Sequence, residues 1–155
     1  NGIIQPTMAD MELALRRADS GGMISYNPGE DTFEIQDESK LNSAQLNALS
    51  GMKDKLSEAG GTGVAQLLSK VLFDALDHVV VYPVADETGW KDGEGRVLPD
   101  AFVVPNNIEA KQLAYKVHSD LGDGFIKAVD GRSRRVVGAD HECSDNDVIK
   151  IHAKT

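Results

Sequence analysis

From His78 onward the chain alternates short β-branched runs with a single amphipathic helix, an order that few folds accept. Val79-Val80-Val81-Tyr82-Pro83-Val84 is too short for a helix and rich in strand formers, and Ala101-Phe102-Val103-Val104-Pro105 is a second such run. Residues 108–121 carry helical spacing, with Leu113, Ala114, Val117 and Leu121 on one face and Gly122 placed to close the end. Phe125 to Val129, Arg135 to Val137 and Val148 to Ile151 follow as strands. The last of these is expected at the edge of the sheet.

Strand, strand, helix, strand, strand with a late edge strand predicts a small β-grasp, ubiquitin-like module over residues 79–155. Residues 1–78 read differently, which makes the whole chain α+β. Gly2-Ile3-Ile4-Gln5 resembles the end of a strand. Thr7 and Asp10 form a capping-box-like pair ahead of a helix whose face holds Met11, Leu15 and Ala18, and Gly21-Gly22 stops it. Asn27-Pro28-Gly29 is a turn, and Thr32-Phe33-Glu34-Ile35 a short alternating strand. A second helix is expected over Ser43–Ala59, with Leu46, Leu49, Met52 and Leu56 at spacings of three to four, broken by Gly60-Gly61. Thr62 can cap a third, whose stripe of Val64, Leu67, Leu68, Val71, Leu72, Ala75 and Leu76 requires burial, against the second helix or the first strand of the following module.

Charge narrows the function classes. The net charge of −9 argues against indiscriminate binding of nucleic acid or anionic lipid. Residues 111–135 reverse the sign: Lys111, Lys116, Lys127, Arg132, Arg134 and Arg135 stand against Asp120, Asp123 and Asp130. A locally basic face on an acidic molecule is what a selective RNA contact needs, with Tyr115 and Phe125 as aromatic neighbours; Phe125 is expected in the core. The single cysteine, Cys143, excludes an internal disulfide and fits a reducing, cytoplasmic setting. No apolar run is long enough for a membrane-spanning helix, and a start at Asn1 fits a fragment or a processed product.

No reaction centre emerges, and no catalytic residue is expected. A Walker-A word is absent; Gly60-Gly61-Thr62-Gly63 lacks both the following Lys and a preceding strand, so it reads as a helix break. His141, Cys143 and His152 have ligand chemistry but no Cys-x-x-Cys or His-x-x-x-His spacing, so no metal is expected. Acidic neighbours disfavour a Cys143 thiolate. His118 is expected near a helix end, against its last carbonyls.

Particular words carry a family resemblance. Asp86-Glu87, Val97-Leu98-Pro99-Asp100-Ala101-Phe102, Leu113 to Gly122, Gly124-Phe125, Arg135 to Asp140 and Asp147-Val148-Ile149-Lys150-Ile151 resemble the TGS domain of threonyl-tRNA synthetases, certain GTPases and stringent-response enzymes. Nearly the whole chain is similar to the C-terminal part of the YchF-type branch of the Obg-like GTP-binding proteins, in its archaeal form. The resemblance implies that residues 1–78 are the end of a P-loop G domain with a helical insertion. Pro6-Thr7-Met8-Ala9 then stands where the family has its last guanine-contacting loop, which works through a backbone N–H, so Thr7, Met8 and Ala9 would be a nucleotide-binding remnant. Met8 departs from the small polar residue usual there. No cofactor is expected in this chain alone. The intact parent would use GTP or ATP with Mg²⁺, and the upstream G domain would be a partner.

The expected function is therefore recognition, coupled in the parent to nucleotide state. The TGS part would contact RNA or the ribosome through Lys111, Lys116, Lys127, Arg132, Arg134 and Arg135. A protein-docking module of ubiquitin-like fold without a nucleic-acid role is the alternative, and no membrane partner is expected.

Overall fold

The computed structural model describes residues 2, 4–98 and 100–154. Two compact units divide the chain, residues 1–75 and 76–155. The expected strand end at Gly2–Gln5 contains Ile3, and the Leu-Pro-Asp-Ala-Phe word contains Pro99; both residues lie outside the described set.

The first unit is built on two helices, α1 (Ala9–Ser20) and α2 (Ser43–Ala59), around a two-stranded antiparallel ribbon. The ribbon pairs β1 (Ile24–Ser25) with β2 (Glu34–Ile35). Leu15, Ile24, Tyr26, Phe33, Leu49 and Leu56 form the core, with Met11, Met23 and Met52 packed against it. The α2 boundaries match expectation because the local chemistry is decisive. Asn42 and Gln45 close a reciprocal capping box, and Gly60 at φ +69° ends the helix left-handed. The Thr7–Asp10 box does not form: Met8 occupies the N-cap position and no side chain caps α1.

The third helix corrects a second expectation. Regular α3 spans Val64–Ser69 only and gives way to a π-helical turn at Lys70–Ala75. The wider turn breaks the 3.6-residue register, so the apolar residues no longer share one face. Of the expected stripe, Leu68 and Val71 are exposed within the first unit.

The second unit is a five-stranded sheet in the order β4-β3-β7-β5-β6. Its strands are β3 (His78–Val84), β4 (Phe102–Pro105), β5 (Phe125–Asp130), β6 (Arg135–Val137) and β7 (Asp147–Ala153). The last strand is central, not an edge: β7 runs parallel to β3 and antiparallel to β5. Burial on both faces of β7 demands this, since adjacent Val148 and Ile149 are both fully buried. The edges are β4 and β6. One sheet face is covered by α4 (Ala110–Val117) and α5 (Ser119–Asp123). Val79, Val81, Val104, Leu113, Ala128 and Ile149 fill the space between, and Phe102, Phe125, Val137 and Ile151 close it.

The expected single helix over 108–121 is broken at His118, whose backbone is extended (φ −162°, ψ 143°). His118 does not face the last carbonyls of α4. Its Nδ1 accepts a hydrogen bond from the Asp120 N–H at 3.2 Å, so it caps the start of α5.

Candidate functional site

Two places hold the residues singled out from the sequence, one in each unit. In the first unit the Pro6-Thr7-Met8 loop lies against Gly60-Gly61-Thr62-Gly63. The two segments border a recess of about 300 Å³. The Met8 N–H donates to the Thr62 carbonyl at 2.8 Å. Gly63 makes this approach possible: at φ +80°, a Cβ there would sit 2.0 Å from the Pro6 carbonyl oxygen.

Beneath the recess, buried Glu12 ties the unit together. Its carboxylate accepts from Thr62 Oγ1 (2.6 Å), Tyr26 Oη (2.9 Å) and Arg16 Nε (2.7 Å). Burial pushes its pKa up, but the hydrogen bonds from Thr62, Arg16 and Tyr26 together outweigh it, so the carboxyl is held below the usual range. A carboxyl depressed in the folded state stabilises above its unfolded pKa and loses that contribution as pH falls through the folded value. Acidification below about pH 4 should therefore loosen the first unit, and Glu12→Gln should shrink that acid loss. Hydrogen exchange of the α1 amides against pH reads it; an unchanged acid response in the variant would count against the Glu12 node.

The structure places Thr7 and Met8 in the recess wall and Ala9 at the first position of α1. The Met8 N–H is already engaged, and among the described residues no side chain caps the first turn of the adjacent α1. The lining residues carry no charged side chain, so the recess offers no counter-charge to phosphate or Mg²⁺. Glu12 and Tyr26 were not singled out from the sequence. A Glu inside an otherwise apolar helix face is the signal that could have found the first.

In the second unit, strand alternation separates the six basic residues. Ala128 and its partner Val137 point to the helix-covered face, so Lys127 and Val136 point to the opposite, open face. Lys127 pairs across the ladder with His152. Arg134, at φ +58°, and Arg135 close the β5–β6 hairpin, and both are exposed. Lys111 and Lys116 lie on α4, in the other layer. Tyr115 is exposed there, with its hydroxyl donating to Asp123, whereas Phe125 packs on the core.

Arg132 is engaged internally. Its guanidinium lies 5.1 Å from the centre of the Trp90 ring, and its Nε donates to the Asn146 carbonyl at 2.6 Å. The Trp90 indole N–H donates to the Gly131 carbonyl at 3.3 Å, and Lys150 pairs with Glu87 at 2.6 Å. These contacts fasten the 86–91 segment over Val148 on the open face. Among the described residues, no carboxylate pairs with Lys127, Arg134 or Arg135.

Cys143 is buried in the core, and burial, with Asp147 adding to it, pushes its thiol up to about 12. Among the described residues, no group of three or more His, Cys, Asp or Glu is placed to hold a metal ion, and no helix is long and apolar enough to cross a membrane.

Comparison with known proteins finds two family matches along the chain, the first of which runs past the unit boundary at residues 75 and 76. Residues 1–86 match the family described as Obg-like GTPase YGR210-like, G4 motif-containing domain, and residues 94–153 match the TGS domain. The chain is 50% identical over 149 residues to an uncharacterized GTP-binding protein, MJ1332, of Methanocaldococcus jannaschii, covering 96% of this chain and 37% of that protein. It is also similar to a crystal structure of a GTP-binding protein from Pyrococcus horikoshii OT3. That match has a TM-score of 0.70 and 37% identity, over 98% of this chain and 38% of the other. The chain thus spans less than two fifths of the length of either relative. It belongs to the YGR210-like Obg-like GTPases, and its second unit carries their β-grasp TGS domain.

Proposed function

We propose that the TGS unit recognises structured RNA, alone or on the ribosome, within a longer GTP- or ATP-hydrolysing protein. The observation that carries this reading is the exposed, unpaired set Lys127, Arg134 and Arg135 around one hairpin, on a chain of net charge −9. A polyanion is repelled by most of such a surface and admitted at that corner. Lys111 and Lys116 would serve a second, separate contact on α4, and Arg132 would hold the corner in shape through Trp90.

The Pro6–Met8 recess is proposed as the place where the first unit meets one edge of a nucleotide base, with first-turn N–H groups of α1 as donors. Phosphates and Mg²⁺ would be held elsewhere in the longer protein, since the recess lacks counter-charge. Both MJ1332 and the Pyrococcus protein bear the description of GTP-binding proteins.

Protein docking is the competing reading, favoured by Ile126 and Val136, which are exposed on the same two strands as the basic residues. Salt separates the two. A phosphate-mediated complex with a structured RNA weakens steeply and linearly in log[salt], whereas apolar docking does not. Measured by fluorescence anisotropy, RNA binding that is absent or salt-insensitive would favour docking.

A further inference from the structure

We propose that a cleft at one end of the TGS sheet binds a small ligand with an apolar body and a single protonated amine. The cleft lies where the C-terminal ends of β3 and β7 and the start of β4 meet the junction of α4 and α5. Its volume is about 480 Å³, inside the range of about 300–1,000 Å³ typical of small-molecule pockets. Val84, Phe102, Val117, Leu121 and Ile151 supply an apolar floor continuous with the core.

Among the described residues, the charged side chains in its lining are two carboxylates, Asp92 and Asp100. Asp92 is spoken for: Arg96 contacts it at 2.6 Å, and the N–H groups of Glu94 and Arg96 donate to it. Asp100 has no hydrogen-bond or ion-pair partner among the described residues. On the adjoining surface Asp120 and Asp123 border Leu121 with Lys154 as the one cation, and Arg96 only neutralises Asp92, so carboxylates outnumber cations around the cleft. An anionic ligand meets repulsion here, and a neutral one leaves Asp100 unused. An ammonium group beside an apolar body uses both the floor and the carboxylate. The cleft is therefore chemically opposite to the basic hairpin, and the assignment does not depend on the RNA reading.

The test titrates the intact chain with phenethylammonium and follows the methyl resonances of Val84, Val117, Leu121 and Ile151. Phenylpropionate serves as an anion of similar size, and phenylpropanol as a neutral body. Saturable shifts with the amine, weaker ones with the alcohol and none with the carboxylate are expected. Asp100→Asn should weaken the amine about two- to fivefold, the scale of an exposed ion pair, and leave the alcohol unchanged. Absence of saturable shifts, equal binding of amine and carboxylate, or an amine affinity untouched by Asp100→Asn would each overturn the assignment. If a basic apolar peptide moves these resonances and the small amine does not, the cleft is a protein-docking groove and the proposal also fails.

Discussion

Replacing Gly63 with Ala should destabilise the first unit by about 2–3 kcal/mol, taking together the left-handed backbone penalty and the loss of one buried hydrogen bond. The added Cβ meets the Pro6 carbonyl oxygen at 2.0 Å, and that atom is backbone, so relief requires the Pro6–Met8 loop to move. Movement there breaks the Met8 N–H bond to Thr62 and disturbs the Thr62 hydroxyl on Glu12. Gly51 provides the control. It lies inside α2 with open space around it, so Gly51→Ala should stabilise by about 0.5–1 kcal/mol through helix propensity. Hydrogen exchange of the α1 and α2 amides reads both variants. A Gly63→Ala chain as well protected as the parent would show that the two loops are not packed as described.

Leu113→Ala should have a comparable effect on the other unit. Leu113 is fully buried, projecting from α4 into the core that Val81, Val104, Ala128 and Ile149 share. Large-to-small changes at such positions cost about 2–5 kcal/mol, because the removed volume is only partly refilled. The single tryptophan, Trp90, belongs to this unit and reports it selectively. The urea midpoint seen by Trp90 emission should fall for Leu113→Ala and stay in place for Gly63→Ala. Equal shifts for the two variants would mean that the units unfold together.

How much of this was legible in the sequence depends on whether the signal was local. The α2 helix announced itself through Asn42, Gln45 and Gly60, which act on backbone within one turn. The β-grasp order was legible because each strand run is bounded by turn residues. The central place of β7 was not, because pairing order is a tertiary choice. Even so, adjacent buried Val148 and Ile149 are the mark of a strand covered on both sides. The break at His118 left a trace in Ser119-Asp120, a helix-start pair that apolar periodicity overrode. The apolar stripe of residues 64–76 exists only at a constant helical period, and the π turn removes that period.

The candidate site shows the same division. Sequence adjacency gathered six basic residues into one set, which the fold distributes over an open sheet face, a hairpin and a helix in the opposite layer. Nothing local to Arg132 reveals Trp90, 42 residues earlier in the chain, against its guanidinium. Glu12 depends on Tyr26 and Thr62, 14 and 50 residues away, and no short motif encodes that meeting.

The claim that the hairpin corner recognises a polyanion is tested most directly by RNA binding to Arg134→Ala, Arg135→Ala doubly substituted chain across a salt series. Each lost phosphate contact flattens the slope of log affinity against log[salt] by about 0.7–0.9. The account predicts weaker binding to all structured RNAs alike and a slope reduced by about one to two such increments. Lys53→Ala with Lys55→Ala, in the acidic first unit, should leave both quantities unchanged. A double arginine variant that binds RNA with the parent affinity and the parent slope would contradict the account.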